Sequence, residues 1–202
     1  MNFNKDDILN DILKTVTDMT HIESSEIPNI DLYMDQVTTF MEKGLRSSKR
    51  YEDDKILTKT MINNYAKNNL LPPPEKKKYS KEHQLLLILI YYFKNILSIR
   101  DIEKLLNPLC EKYFNTGAKF SLTNIYDEVW GLEPKRKEIL KEDVKEIYTT
   151  INETFEDAPE EDRDLLQLFS FICSLAFDVY VKKQIIEKLI DSLPEPKGKD
   201  KK

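Results

Sequence analysis

Apolar residues in this chain of 202 residues recur mainly at spacings of three and four, with little strict alternation, and this pattern predicts helices. Residues 5–19 predict a short amphipathic helix. Residues 29–45, after Pro28, predict a second helix, with Gly44 placed to end it. The positions expected to face inward are Ile8, Leu9, Ile12, Leu13 and Val16 in the first helix, and Leu32, Tyr33, Val37, Phe40 and Met41 in the second.

A third helix is predicted from Thr58 or Thr60, either of which suits an N-cap, to about Asn68. Asn69 follows, and asparagine tolerates the left-handed backbone that often ends a helix. The residues expected to face the core here are Met61, Ile62, Tyr65, Ala66, Leu70 and Leu71.

The next segment changes character at Pro72, Pro73 and Pro74, which force an extended path. The following "EKKKYS" predicts a tight ribbon or turn. Ser80 then begins a helix, "KEHQLLLILIYYFKNI", which is apolar on nearly every side and is therefore expected at the centre of the core. Another helix follows, with Ser98 as N-cap and Asp101 at its third position; its inward residues are Ile99, Ile102, Leu105 and Leu106.

Three further helices are predicted in the second half: a short one carrying Ile125, Val129 and Trp130, one over about 135–155, and a long one from Pro159 to about Ser192. The run 165–181 is shorter than about 20 apolar residues and contains polar side chains, so it predicts a buried helix and no membrane span. The chain is thus expected to be all-α, with at most one small β-ribbon.

Composition narrows the class of protein. With 40% apolar and 33% charged residues, the chain is typical of a soluble globular protein, which we expect in the cytoplasm. Its four glycines provide no glycine-rich phosphate loop. Its two cysteines, Cys110 and Cys173, are expected to be reduced packing residues, and neither they nor the two histidines have metal-ligand spacing. We therefore expect no cofactor, no metal and no enzymatic activity, and no catalytic residue is proposed.

Charge is unevenly distributed along the chain. The formal net charge is -5, but residues 58–100 carry eight lysine and arginine residues against two acidic ones, and the segments on either side are acidic. A cluster just upstream extends this basic segment; it contains Lys43, Arg46, Lys49 and Arg50. Lysines that meet a phosphate backbone gain affinity by counterion release. The alternative is a solvated surface with no partner.

The third predicted helix favours the first interpretation. One face of it would carry only lysine, asparagine and threonine, and asparagine can pair bidentately with adenine in a major groove. A stability-driven surface would favour Glu, Gln or Ala, because asparagine is a weak helix former. The candidate DNA-binding residues are Lys59, Thr60, Asn63, Asn64 and Lys67 on the helix, Lys76, Lys77, Lys78 and Tyr79 on the turn, and Arg46, Lys49 and Arg50 upstream. For Tyr79 and the turn lysines, simple packing and solvation remain the alternative.

The order of residues over about 57–106 resembles the winged helix-turn-helix of the MerR family of bacterial transcription regulators. Tyr65 matches the tyrosine of that family's recognition helix. The remaining matches are Leu70, Leu71 and Pro72 after that helix, Lys77, Tyr79 and Ser80 at the end of the wing, and Ile99, Ile102, Leu105 and Leu106 in the last helix. Departures include Asn63 and Asn64 in place of arginine and tyrosine, Asn69 in place of glycine, a shorter wing, and a long charged link before the recognition helix.

The whole chain, including "DLYMDQVTTF" and "LTKTMINNYAK", resembles more closely a bacterial family of uncharacterised proteins with a MerR-like winged helix, described as a domain of unknown function. The resemblance implies an N-terminal helix and linker over 1–27 and a DNA-binding domain over 28–107. A C-terminal helical dimerisation or effector region over 108–193 and a tail over 194–202 complete the predicted division.

The last long helix carries apolar residues on most sides, more than one small domain covers. We therefore expect a homodimer, with Leu168, Phe169, Ile172, Phe177 and Tyr180 at its interface. The alternatives are an intramolecular bundle core and a ligand pocket lined by aromatic residues; a small-molecule effector has no support in the sequence.

The leading hypothesis is a dimeric, sequence-specific transcription regulator that binds double-stranded DNA at a palindromic operator. The alternative is a helical adaptor that binds another protein, for which the lysines are only solvation.

Overall fold

The computed structural model describes residues 5–194 and is mostly helical, which confirms the predicted all-α class. A two-stranded ribbon is the β-structure in this range, and a short 3-10 turn occupies Arg46–Ser48. The elements are, in chain order, α1 Lys5–Asp18, β1 Leu32–Tyr33, α2 Met34–Gly44, α3 Lys59–Lys67, β2 Lys78–Tyr79, α4 Lys81–Phe93, α5 Ile99–Tyr113, α6 Leu122–Trp130, α7 Glu133–Asn152 and α8 Glu160–Asp191.

The chain forms two compact units. Within the described residues, the central unit comprises Thr20–Trp130 and residues 185–194, and the helical unit comprises residues 5–19 and Gly131–Gln184. This division differs from the predicted boundary at residue 107, because α5 continues and α6 packs within the central unit. The predicted tail 194–202 lies outside the described residues, apart from its first position.

Helix α4 is the centre of the central unit, as its continuous apolar sequence predicts. Eight of its thirteen residues are buried, from His83 to Tyr91. Each fully buried leucine or isoleucine contributes about 1.5–3 kcal/mol relative to exposure. The side chains that complete this core come from both strands, from the other helices of the unit and from the connecting segments, and include Ile22, Leu32, Val37, Met41, Ile62, Leu70, Leu71, Tyr79, Ile102, Leu106, Tyr126 and Ile190.

Strands β1 and β2 pair in antiparallel register, with Leu32 opposite Tyr79 and Tyr33 opposite Lys78. The predicted second helix therefore begins at Met34 and not at residue 29, because β1 occupies Leu32–Tyr33. The expectation that Tyr33 faces inward is wrong: its side chain is 54% exposed. Its backbone N–H instead donates to Oε1 of Gln36, 2.9 Å away, and so helps to start α2.

Gly44 is the last residue of α2, and close packing explains why it is a glycine. A Cβ at this position would lie 2.5 Å from Cδ1 of Ile22, a distance that ordinary contacts do not reach. Since Ile22 is itself buried, its side chain has little room to move. Gly44 thus allows the segment before β1 to lie directly against the end of α2.

Both ends of α3 form as the sequence predicts. The Oγ1 atom of Thr58 accepts a hydrogen bond from the Met61 N–H at 3.2 Å, which satisfies one of the free donors of the first turn. Asn69 adopts a left-handed conformation with φ of 56°. The chain then turns inward, and the Leu70 N–H donates to the Tyr65 carbonyl at 2.9 Å. Leu70 and Leu71 are buried.

Helix α5 begins with the predicted cap. The Asp101 N–H donates to Ser98 Oγ and the Ser98 N–H to Asp101 Oδ2, each at 3.2 Å. Ile99, the first residue of the helix, is 51% exposed, contrary to expectation. The helix also continues through Pro108, although an internal proline costs about 3 kcal/mol. The following residues pack on the core and offset that cost; they include Leu109, Cys110 and Tyr113.

The helical unit contains α1, α7 and most of α8, and its core is small. Val144, Ile151 and Phe171 are its buried apolar residues in the described range. Polar contacts add to them: Gln167 Nε2 donates to the carbonyls of Asn152 and Thr154 at 2.9 Å each. The prediction that residues 165–181 form a buried helix is wrong, since in the most apolar 18-residue window of α8 only 11% is buried.

Within residues 5–194, α8 is also the one helix that is long and apolar enough to cross a membrane by length and composition.

Candidate nucleic-acid interface

The candidate surface centres on the outer face of α3. Ile62 and Tyr65 are buried on the inner side of this helix. The five predicted DNA-binding residues of α3 all lie on the opposite side and are exposed: Lys59, Thr60, Asn63, Asn64 and Lys67. This face presents amide, hydroxyl and ammonium groups and no carboxylate of its own.

A carboxylate from α2 reaches this surface at one edge. Lys59 at the start of α3 forms an ion pair with Asp35 in the first turn of α2. Both side chains are exposed, so the pair contributes at most about 1 kcal/mol to stability. Asp35 therefore lowers the positive potential at the start of α3 with little benefit to the fold.

The segment 75–78 forms a tight turn that leads into β2. The Lys78 N–H donates to the Glu75 carbonyl at 2.8 Å, and Lys76 and Lys77 have φ of 47° and 64°. Two successive positive φ values define a type I′ turn, which normally has Asn-Gly at its centre. Both lysines are exposed at the tip. Lys78 is half-buried, with Nζ 5.2 Å from the ring centroid of Tyr33.

Tyr79 does not belong to this surface. Its side chain is 3% exposed, and its ring packs edge-on against His83 with centroids 5.5 Å apart. Burial raises the pKa of its hydroxyl. The prediction that Tyr79 contacts DNA is therefore wrong, because the β1–β2 pairing turns alternate side chains inward and Tyr79 lies on the inner side.

The upstream cations lie along an open groove beside α2. Arg46 and Arg50 are exposed, and Lys49 is half-buried and paired with Glu42. The Arg50 guanidinium lies 5.2 Å from the ring centroid of Tyr51. The groove has a volume of about 890 Å³.

A family model described as "Domain of unknown function (DUF1836)" matches residues 22–129, more than half of the chain. The chain belongs to the DUF1836 family. This confirms the predicted membership of an uncharacterised family. No curated protein and no solved structure matches the chain.

The DUF1836 match covers the central unit almost completely, from the segment before β1 to the end of α6. It includes the outer face of α3, the turn at residues 75–78 (the lysine turn) and the groove beside α2. The helical unit with the predicted dimerisation residues lies outside it.

Those dimerisation residues do not all lie on one side of α8. Phe169, Ile172, Phe177 and Tyr180 are exposed, with 63% of Phe169 accessible. Leu168 is half-buried and lines a small cavity together with Ile8 and Phe171. The structure therefore leaves four of the five predicted residues available for contact.

Neither cysteine forms part of a site with other ligands. In the described range no group of three or more His, Cys, Asp or Glu residues could hold a metal ion. Burial, with smaller contributions from Glu82 and Glu111, raises the pKa of Cys110 to about 12, so this thiol is unreactive at neutral pH. Cys173 is exposed on α8.

Four residues near the α3 face, the 75–78 turn and the groove beside α2 were missed by the sequence analysis or given another role: Tyr33, Asp35, Lys43 and Tyr51. Lys43 already belonged to the basic cluster that the charge pattern indicated upstream of residue 58. The roles of Asp35 and Tyr33 depend on residues more than twenty positions away, which no local pattern indicates.

His83 anchors the base of the lysine turn. The Ser80 N–H donates to His83 Nδ1 at 3.0 Å, so this nitrogen carries no proton and the ring is neutral. Burial lowers the pKa of His83; the carbonyls of Pro73 and Pro72 and the charges of Asp31 and Glu75 oppose this shift but do not cancel it. Protonation of the ring would remove the acceptor that fixes Ser80 at the start of α4.

We expect the free energy of unfolding to fall as the pH drops below about 6.5, the ordinary histidine pKa. A lowered folded pKa gives stability that is complete above that pH and is lost as the pH falls toward the folded pKa. His83→Gln should abolish most of this dependence, because an amide does not titrate. The start of α4 should be kept, since the glutamine oxygen can still accept from the Ser80 N–H. Urea unfolding of both proteins at pH 7.5 and 5.5 measures the difference. Equal losses of unfolding free energy in the two proteins would contradict the assignment of this pH dependence to His83.

Proposed function

We propose that this DUF1836 protein is a sequence-specific DNA-binding transcription regulator with a MerR-like winged helix-turn-helix in its central unit. The observation that carries the proposal is the outer face of α3, which has exposed asparagine, threonine and lysine and no carboxylate, in a chain that is acidic overall. In this arrangement α3 enters the major groove, and the turn at Lys76 and Lys77 contacts the DNA backbone.

The order of elements supports the MerR-like description. A strand, two helices, a turn and strand, and two further helices follow one another from β1 to α5. Several residues that carry the sequence resemblance form the core of this arrangement, including Tyr65, Leu70, Leu71 and Tyr79. The resemblance therefore supports the fold, whereas the exposed residues that would read bases are specific to this chain.

The chemistry of the α3 face suits both parts of DNA binding. Asn63 and Asn64 can each donate and accept at an adenine edge, a pairing worth about 1–3 kcal/mol of discrimination. Lys59 and Lys67 neutralise phosphates and thereby release counterions. The acidic segments on either side of the basic region keep other surfaces away from the duplex.

In the proposed arrangement two copies pair through α8. The helical unit has only three buried apolar residues in the described range, whereas domains of this size usually need a larger core, a disulfide or a partner. Leu165, Phe169, Ile172, Ala176 and Val179 recur along α8 at alternating spacings of four and three, the pattern of a coiled-coil seam. A second copy would bury this seam.

Charge favours an antiparallel pair. The first turn of α8 carries Glu160, Glu161 and Asp162, and Lys182 and Lys183 lie near the other end of the apolar segment. Antiparallel pairing centred near Ile172 brings the acidic turn of one copy beside the lysines of the other, whereas parallel pairing brings the acidic turns together. Two recognition helices about 34 Å apart would then read two half-sites of a palindrome.

The lysine turn provides a test of DNA binding that unfolding cannot mimic. In the variant Lys76→Asn/Lys77→Gly the turn has its preferred residues, so the protein should gain about 1–2 kcal/mol in stability. It should nevertheless bind DNA more weakly, and the slope of log affinity against log salt should decrease by about 1.8 for two lost phosphate contacts. Fluorescence anisotropy with the DNA upstream of the protein's own gene, and with a random duplex, measures both quantities.

The control removes the same charge from the helical unit, as Lys14→Gln/Lys135→Gln, and should leave the salt slope unchanged. If the turn variant bound DNA with wild-type affinity and slope, the turn would have no role in binding. If the wild type bound neither duplex at low salt, the regulator proposal would fail.

The second candidate is a helical protein–protein adaptor, which the exposed apolar side of α8 also favours. An adaptor would show no salt-dependent DNA binding and would need a partner protein to cover α8. The anisotropy experiment therefore separates the two functions.

A further inference from the structure

The groove beside α2 has features that a solvated linker does not need. It runs along the second half of α2 and the segment that follows, with a volume of about 890 Å³. Its lining includes four cations and two carboxylates: Lys43, Arg46, Lys49 and Arg50 against Glu42 and Glu52. Tyr51 adds an exposed aromatic ring beside the cation of Arg50.

The segment that forms the outer wall is held in place by specific contacts. The Asp54 carboxylate accepts from the backbone N–H groups of Arg50 and Tyr51 at 3.1 and 2.9 Å. Lys94, the residue that follows α4, donates to the Ile56 carbonyl at 2.9 Å, and Ile56 and Leu57 are buried. The outer wall of the groove is therefore held in a defined backbone conformation.

The groove also adjoins α3. Leu57 lines its end, and the next residue, Thr58, is the N-cap of α3. The end of the groove therefore lies next to the start of α3 in the central unit.

We propose that this groove binds the sugar–phosphate backbone of the same duplex that α3 contacts, and so lengthens the contact along the DNA. This inference rests on the proposed function. A duplex backbone fits better than a small anion, because the groove is long and open and its cations are distributed along it, whereas a small anion needs an enclosed cradle of donors. The ligand chemistry is a row of phosphodiesters.

Not every cation of the groove contributes equally. Lys49 is already tied to Glu42 and to the Glu52 carbonyl, 3.3 Å from its Nζ, so it mainly holds the wall. Arg46 and Arg50 are exposed and are the side chains we assign to phosphate contact. Their substitution leaves the backbone bonds to Asp54 intact.

The test compares the full-length wild type with Arg46→Gln/Arg50→Gln on a series of duplexes that share one preferred sequence and differ in length. The affinity of the wild type should increase with the length of DNA that flanks the preferred sequence, until the duplex fills the groove. The affinity of the variant should stop increasing at a shorter duplex. The variant's salt slope should be smaller by about 1.8, for two phosphate contacts. Its preference for the native over a scrambled sequence should be unchanged, because the groove touches no bases.

A matched control, Lys135→Gln/Arg136→Gln, removes two charges from exposed positions of the helical unit and should behave as the wild type. If the wild type binds DNA and the groove variant shows the same slope and length dependence, the groove proposal is overturned and the proposed function stands. If the wild type binds no duplex, both are overturned. If the groove binds an acidic protein in place of DNA, the groove variant should bind DNA as the wild type does. That result counts against the proposal.

Discussion

Replacing Phe169 with aspartate is expected to convert the proposed dimer into a monomer. Phe169 is 63% exposed and lies in the apolar seam, three residues before Ile172, so its substitution leaves the fold of one copy intact. In the dimer, however, the new carboxylate would be buried opposite apolar side chains, without a partner. Such changes in the buried part of an interface cost about 2–4 kcal/mol, which raises the dissociation constant of the dimer by roughly 30-fold to 1,000-fold.

Light scattering after size exclusion measures the result directly across a range of protein concentrations. The control is Ile30→Asp, which adds the same charge at an apolar residue of similar exposure, 67%, in the central unit. The wild type and this control should both have twice the mass of one chain, and Phe169→Asp should have the mass of one. A monomeric wild type, or a dimeric Phe169→Asp protein, would refute pairing through α8.

The orientation of the pair can be measured in a Cys173→Ser background. A chain with Asp162→Cys mixed with a chain carrying Lys183→Cys should form a mixed dimer in the presence of a short bis-maleimide. Each variant alone should crosslink poorly, since in an antiparallel pair its new cysteine lies far from its own counterpart. Cys110 should not interfere, because burial raises its pKa to about 12. Crosslinking of each variant with itself would indicate a parallel pair.

A lipid surface is the other possible cover for α8. The acidic residues of its first turn would repel anionic phospholipids, and one side of the helix already packs against the rest of the helical unit. The wild type should therefore not sediment with vesicles of mixed anionic and zwitterionic phospholipids. Sedimentation that is lost in Phe169→Asp would assign the seam to a membrane surface.

Asn63→Ala is expected to weaken binding to the preferred DNA site by about 1–3 kcal/mol, or roughly 5-fold to 150-fold. The loss should be much smaller on a random duplex, because the asparagine amide reads a base edge and carries no charge. The salt slope should stay the same. Helix stability should not fall, since the side chain is exposed and alanine is a better helix former than asparagine.

The control for this substitution is Asn10→Ala, an exposed asparagine of α1 in the helical unit. It changes the same chemical group away from α3 and should leave both affinity and preference unchanged. Anisotropy titrations with the preferred and scrambled duplexes, at two salt concentrations, separate base reading from phosphate contact. Equal losses on both duplexes would mean that Asn63 supports the surface but reads no base.

Features that depend on residues three to five positions apart could be predicted from the sequence. The Thr58 cap, the left-handed Asn69 and the Ser98–Asp101 box each involve hydrogen bonds within one turn, and all three form as expected. The inner and outer faces of α3 likewise follow from the helical repeat. For this reason the exposed candidate residues of α3 were placed correctly.

Features that depend on distant residues were decided by the tertiary structure. The pairing of β1 with β2 joins residues more than forty positions apart; it shortened the predicted second helix and turned Tyr79 inward. The ion pair between Asp35 and Lys59 arises because α2 and α3 meet at their first turns. Neither outcome has a local signature.

The apolar pattern of α8 shows the same division most clearly. The sequence by itself determined that residues 165–181 form an apolar helix, because local hydrophobicity and helix propensity are properties of the segment alone. Whether that helix is buried depends on how much surface the other helices supply, and α1 and α7 cover only one side of it. The sequence thus determined the helices, their caps and the charge of each segment, whereas the tertiary structure decided which faces remained available to a partner.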